Sequence, residues 1–195
     1  MFGLLYPDLR IDSVLELDVD RLSALELDAL LLDVDCTLKH YGDEACTENV
    51  VAWLAGLRDA GIGLCLVSNG RGRRIRAFAE KLGLPFAATA LKPLPMKIRA
   101  TVRKMGFDPK RTAMVGDQVF ADVLAGNLAG LITILVRPMR PEDEPWFARW
   151  KRHPERLVLR RFEKKLLRRT PQLEQVANDA PPTRSQMESL PEERE

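Results

Sequence analysis

Groups able to bind or move charge stand directly behind apolar runs at four places in this chain. Ala29-Leu30-Leu31-Leu32 passes into Asp33-Val34-Asp35-Cys36-Thr37, and Ile62 to Val67 ends in Ser68-Asn69-Gly70. A short run from Phe86 to Ala90 leads to Leu91-Lys92-Pro93, and Ala113-Met114-Val115 ends in Gly116-Asp117, with Asp122 five residues on. Singly, each has an ordinary explanation. A carboxylate behind a strand is commonly a helix cap, Ser-Asn-Gly is common turn chemistry, and a lone lysine usually sits in solvent. Gathered at one edge, the acids and one lysine would be poorly compensated without a cation and an anion between them. Mg²⁺ takes oxygen ligands, commonly one or two carboxylates plus a substrate phosphate, and Asp33 and Asp117 can supply the carboxylates. A lysine and a serine hydroxyl suit the remaining phosphate oxygens. A carboxylate beside the metal can attack phosphorus, and an acid two residues away can pass protons. Lys97 is the competing lysine, but it falls inside a helical stretch, so Lys92 is preferred.

The elements that must position these groups follow from periodicity. Strands are expected over about 28–34, 62–67, 86–90, 111–115 and 131–136. Between them, helical spacing predicts helices from a Thr47 cap to about Ala60, Arg71–Leu82, Met96–Met105 and Phe120–Leu128, several followed by glycine. Strict alternation predicts an α/β fold, a parallel sheet with helices on both faces, whose ligands sit outside the carboxyl ends of the strands. Residues 1–28 read as a lead-in that packs on the sheet, with a short helix after Asp20.

Composition narrows the class. The 195 residues are 46% hydrophobic, enough for a sizeable core, with a net charge of only +2. Cys36, Cys46 and Cys65 have no metal-binding spacing and read as free thiols in a reducing compartment. No apolar run approaches the ~20 residues of a membrane span, and Pro7, Asp8 and Arg10 interrupt any leader-like stretch, so an intracellular protein is expected. Charge is distributed unevenly at the end. Residues 149–169 hold ten Lys or Arg against two Glu, with Leu159, Phe162 and Leu166 on one helical stripe. Residues 170–195 hold six acids, two arginines and four prolines, and are expected to be disordered. Three parts are therefore expected: a core over 1–148, a basic amphipathic helix over 149–169 and the tail.

Asp33-Val34-Asp35-Cys36-Thr37, Ser68-Asn69, Lys92-Pro93 and Gly116-Asp117-Gln118-Val119-Phe120-Ala121-Asp122, in that order, resemble the four motifs of the haloacid dehalogenase-like phosphatases. The closest likeness is the class IIIA, YqeG-type branch, which includes phosphatidylglycerophosphate phosphatases. It extends over about residues 1–169, including Leu5-Tyr6-Pro7-Asp8, Gly126-Asn127-Leu128-Ala129-Gly130 and the basic end. The resemblance implies a three-layer Rossmann-like fold and Mg²⁺ as cofactor. It makes Asp33 the nucleophile and Asp35 the general acid/base, whose backbone carbonyl also reaches the metal. Ser68, Asn69 and Lys92 would hold the phosphoryl group, Asp117 would complete the metal site, and Thr37 would shape the turn. Asp122 either ligates through water or positions Lys92. Cys36 stands where the branch commonly has Asn.

Cap domains in this superfamily are inserted after the first or third strand. Here about thirty residues separate Thr37 from Ser68 and about twenty separate Asn69 from Lys92, filled by one helix and one strand each, so no cap is expected. An open site suits a large substrate or a lipid headgroup. The expected substrate is phosphatidylglycerophosphate, giving phosphatidylglycerol. The 149–169 helix would either meet an anionic membrane surface or dock on the core. The location expected is the cytoplasm, with peripheral contact at the inner membrane face. Two other readings stand beside it: a phosphatase of small soluble metabolites or phosphoproteins, and a non-enzymatic RNA- or ribosome-associated module. Nucleic acid is the less expected partner, because 149–169 carries only Trp150 and Phe162 as aromatics and no RNA-binding motif. No oligomeric state is implied.

Overall fold

Every residue of Ala29–Leu32 is buried, and the run forms β2, paired in parallel on both sides with β3 (Gly63–Val67) and β5 (Thr112–Gly116). A computed structural model describes residues 2–139 apart from Arg71. The expected basic helix and acidic tail, with Trp146, Phe147 and Trp150, lie outside the described residues. Among the described residues the sheet has six strands, all parallel, in the order β1-β6-β5-β2-β3-β4. The outer members are β1 (Leu9–Ile11), β6 (Ile132–Val136) and β4 (Phe86–Ala87). The helices α1 (Val19–Ala24), α2 (Glu48–Asp59), α3 (Gly72–Leu82), α4 (Pro95–Met105) and α5 (Leu124–Ala129) make the crossovers.

Alternate strand residues point to opposite faces, and the two cores divide that way. Leu30, Leu32, Leu64, Leu66, Ala113 and Val115 pack with Val50, Leu54 and Leu57 of α2 and Ile75 and Phe78 of α3. Leu31, Cys65, Val67 and Met114 pack with Ile98 and Val102 of α4 and Ala125 of α5. Removing each large apolar side chain from water contributes roughly 1.5–3 kcal/mol, and β2, filled on both faces, gains it on each side. Gly126 is required where α5 crosses the sheet, since a Cβ there would stand 2.5 Å from Thr133 Cγ2 and 2.9 Å from Met114 Cβ.

Three expectations are corrected by tertiary context. The lead-in does more than pack on the sheet: Leu9–Ile11 is itself the edge strand beside β6. Asp8 locks it there, its Oδ2 accepting from both the N–H and the hydroxyl of Thr133, 3.0 Å each. The Asn127 amide donates to the carbonyls of Leu4 and Tyr6 at 2.8 and 2.9 Å. The strand expected over 86–90 stops at Ala87, because Thr89 and Leu91 take left-handed conformations (φ 51° and 57°) that break extended pairing. The helix expected over 120–128 begins as a π turn, Val119–Val123, before α5. Thr47 does occupy the N-cap position of α2, but its side chain makes no capping hydrogen bond. None of the three cysteines forms a disulfide among the described residues, Cys36 and Cys65 are buried, and burial pushes the Cys65 thiol up to about 11. No helix among the described residues is long and apolar enough to cross a membrane.

Candidate active site

The carboxyl edge of the sheet collects the polar residues. Asp33 continues β2 by one residue, its N–H donating to the Val115 carbonyl at 2.9 Å. Asp117 follows β5, Ser68 follows β3, and the loop behind β4 carries Lys92. All four are buried despite their polarity. Lys92 Nζ lies at the centre, 2.5 Å from Asp33 Oδ1, 2.6 Å from Asp122 Oδ1 and 3.0 Å from the Val67 carbonyl. Asp33, Asp117 and Asp122 each present a carboxylate oxygen within 4.8 Å of the others. The Thr37 hydroxyl donates to Asp117 Oδ1 at 3.4 Å.

Placement of these groups has local causes. The π turn widens the backbone at Gln118, whose carbonyl accepts from the N–H groups of both Asp122 (2.8 Å) and Val123 (3.3 Å). Such turns recur at functional sites. Here it folds Asp122 back over Gly116, where Asp122 Oδ2 accepts from the Gln118 N–H at 3.0 Å. A Cβ on Gly116 would overlap the Asp122 carboxyl group. Asn69 uses its amide on the Lys92 backbone, accepting from the Lys92 N–H at 2.7 Å and donating to the Lys92 carbonyl at 3.0 Å. The sequence groups Asn69 with the phosphate ligands, and here its side chain fixes the loop that carries the lysine. The Ser68 oxygen accepts from the Gly70 N–H at 3.0 Å, which leaves its hydroxyl proton free to donate elsewhere. Lys97, the competing lysine, is spent on the carbonyls of Ala88 and Thr89.

Charge in this cluster does not balance by itself. Among the described residues, three carboxylates face one ammonium in a buried setting. Burial pushes Asp33 up to about 8, and Asp122 and Asp117 push the same way, against the pull of Lys92. Burial opposes the charge on Lys92 too, but Asp122 and Asp33 outweigh it and hold its pKa above the usual lysine value. The surplus of two negative charges is what one divalent cation neutralises. The donors are hard carboxylate oxygens, so the residues present fit Mg²⁺.

Asp35 stands outside that cluster. Its Oδ1 accepts from Lys39 Nζ at 2.7 Å and from Arg74 Nη1 at 2.9 Å, and Arg74 Nη2 closes a second bond to Oδ2. Burial pushes the carboxyl up, but Arg74 and Lys39 prevail and hold it below the usual carboxylate range. Sequence reasoning missed both cations. Lys39 could have been found from its i+4 spacing to Asp35 just behind a strand. Arg74 could have been suspected from the basic start of the helix that follows Ser68-Asn69-Gly70.

The parallel sheet thus carries paired acids behind its central strand, a third acid behind the adjoining β5 and a lysine behind β4. The family model of haloacid dehalogenase-like hydrolases matches residues 9–130, and the chain belongs to that family. It is 31% identical over 159 residues to the probable phosphatase YqeG of Bacillus subtilis, covering 82% of this chain and 92% of that protein. It is 26% identical over 95 residues to phosphatidylglycerophosphate phosphatase 1, chloroplastic/mitochondrial, of Arabidopsis thaliana, covering 49% of this chain and 27% of that one. Among solved structures, NagD from Escherichia coli K-12 matches with a TM-score of 0.43 at 19% identity, covering 56% of this chain and 87% of that chain.

Proposed function

We propose that this hydrolase is a Mg²⁺-dependent phosphomonoesterase working through an aspartyl-phosphate at Asp33. The observation that carries the reading is Lys92, buried between Asp33 and Asp122 and within the same cluster as Asp117. In this reading the carboxylates of Asp33 and Asp117 and the backbone carbonyl of Asp35 hold the metal. When bound, it supplies positive charge that offsets the repulsion between a phosphate and the Asp33 carboxylate. Lys92 and the Ser68 hydroxyl bind phosphoryl oxygens, and Asn69 and Asp122 keep Lys92 aimed. Asp33 forms a bond to phosphorus as the ester P–O bond breaks, and Asp35, which takes up a proton once substrate draws Lys39 and Arg74 away from it, gives that proton to the leaving oxygen. Asp35 then takes a proton from water, whose oxygen attacks phosphorus, releasing inorganic phosphate and restoring Asp33.

The geometry behind Gly116 makes one part of this testable. Gly116→Ala drives a methyl group into the space of the Asp122 carboxyl. With Asp122 displaced, Lys92 loses one of its three anchors. Phosphate release is expected to fall about 10²-fold, because misplacing a catalytic group by an ångström costs about that much. Unaltered turnover in Gly116→Ala would show that Asp122 is not needed where it stands.

The substrate proposed is phosphatidylglycerophosphate. Support comes from the Arabidopsis relative, from the excess of basic residues in 149–169, and from the loop that carries Lys92. On that loop and the first turn of α4 behind it, Leu91, Leu94 and Met96 stand 52%, 49% and 63% exposed, an apolar rim suited to a lipid surface. The core is taken as 1–148, with 149–169 as a surface-binding extension bringing a cytoplasmic protein to the inner membrane face. The test is phosphate release from phosphatidylglycerophosphate in anionic micelles against release from an aryl phosphate, with and without Mg²⁺. Deleting 149–195 should lower turnover of the lipid sharply while sparing the aryl phosphate. Much faster turnover of soluble phosphates by the intact chain would replace the lipid with a small metabolite. No turnover of any phosphate ester with Mg²⁺ present would sink the enzyme reading.

A further inference from the structure

Beside Asp35 a pocket of about 590 Å³ opens between α3 and the 38–47 loop. Its lining includes Lys39 and Arg74, the two partners of Asp35, so the cavity adjoins the site on the Asp35 side, while Asp33, Ser68, Lys92 and Asp117 do not line it. Four cations contribute to its wall: Lys39, Arg73, Arg74 and Lys81. Lys39 and Arg74 are tied to Asp35, whereas Arg73 and Lys81 form no ion pair among the described residues. Ile75 and Phe78, both buried in the core, supply its apolar surface. Asp43 and Glu44 also line it, and together with Asp35 they leave one positive charge in excess. Arg74 is half exposed and bonds Asp35 through two of its nitrogens, so its fork retains further N–H donors.

The position of this pocket decides what enters it. Asp35 protonates the leaving oxygen in the reading above, so the leaving group must lie against Asp35 and extend past its partners Lys39 and Arg74. A volume of this size holds a glyceryl or hexose unit, well beyond a bare phosphate. Unpaired cations beside an apolar surface recognise an anion carried on a carbon skeleton, and arginine in particular suits phosphate oxygens.

We infer that this pocket is a subsite for a second anionic phosphate on the leaving group, so that the preferred substrates are phosphomonoesters bearing another phosphate two to several atoms beyond the scissile bond. The inference rests on the phosphatase reading. It covers two sources of the same chemistry, the phosphodiester of a lipid headgroup and the second phosphate of a soluble bisphosphate.

The experiment compares kcat/KM of the wild-type chain and the double variant Arg73→Ala/Lys81→Ala on three substrates: an aryl phosphate, a hexose bisphosphate and micellar phosphatidylglycerophosphate. The aryl phosphate is the internal reference for folding and chemistry. Relative to it, at least one doubly charged substrate should fall about tenfold in the variant, the loss expected from two partly exposed ion contacts. A fall confined to one of them assigns the source. Ratios unchanged within about twofold overturn the proposal. A second measurement needs no variant: glycerophosphoglycerol and the methyl ester of a hexose phosphate, phosphodiesters with no monoester to cleave, are added to the wild-type protein. Competition by either against the aryl phosphate supports the subsite, and competition by neither overturns it. If no phosphate ester is turned over at all, the phosphatase reading alone has failed. Calorimetric titration with the same two diesters then decides the pocket, binding retaining it and absence of heat removing it.

Discussion

Asp33→Asn is expected to lower kcat on an aryl phosphate by at least about 10³-fold, because an amide offers no anionic oxygen to attack phosphorus. The physical setting makes this loss separable from misfolding. Asn matches Asp in size, and the position is buried. Wild-type Asp33 shares its neighbourhood with Asp117 and Asp122 against the single ammonium of Lys92. Removing one carboxylate brings that cluster closer to neutrality, so the variant should melt at or above the wild-type temperature. It should also bind Mg²⁺ more weakly, having lost one of the proposed ligands. The informative combination is therefore an intact or raised melting temperature with activity gone. Retention of activity within about tenfold would show that another group attacks phosphorus and would end the aspartyl-phosphate mechanism.

Lys92→Met should be the most damaging change to stability. It keeps the length and apolar stem of lysine while deleting the one cation inside a ring of acids. Breaking a buried ion pair from one side typically costs about 3–5 kcal/mol, because a desolvated charge is left unmatched. Here two carboxylates lose their partner at once. The sign with pH follows from the direction of the shift. Burial and neighbouring acids already push Asp33 up to about 8 with Lys92 in place. Without Lys92 the folded-state value rises further above that of the unfolded chain. The folded variant then holds protons that the unfolded chain releases, and stability is lost as pH rises. In urea denaturation without added metal, the deficit relative to wild type should be smaller near pH 6 and larger near pH 9, above the value of about 8 at which wild-type Asp33 ionises. Equal deficits at the two values would show that the acids are balanced by something other than Lys92. Turnover should fall together with stability, since the same ammonium is proposed to hold the phosphoryl group.

Much of the fold could be read along the chain because each buried strand carries its own signal. Leu30 to Leu32 and Leu64 to Val67 are continuous apolar runs, as strands covered on both faces must be, and the polar residue that ends each run marks the edge where chemistry can occur. Asp33, Ser68, Lys92 and Asp117 were placed in that way, and the structure brings all four to one edge. The edge strand β1 escaped notice because three residues, buried at the first and third, are too short for a periodic signal. It exists because Asp8 and Thr133, 125 residues apart, bond across the gap.

Local sequence determined which residues sit at strand ends, and so which carboxylates and lysine are available. Tertiary structure alone decided how they are paired. That Asp122 turns back through a π turn to grip Lys92, that Asn69 holds the lysine's backbone, and that Asp35 is clasped by Lys39 and Arg74 all depend on contacts between separate elements. The reason is physical: hydrophobic periodicity is written along the chain, whereas the partner of a buried charge is set by whichever element the fold packs against it.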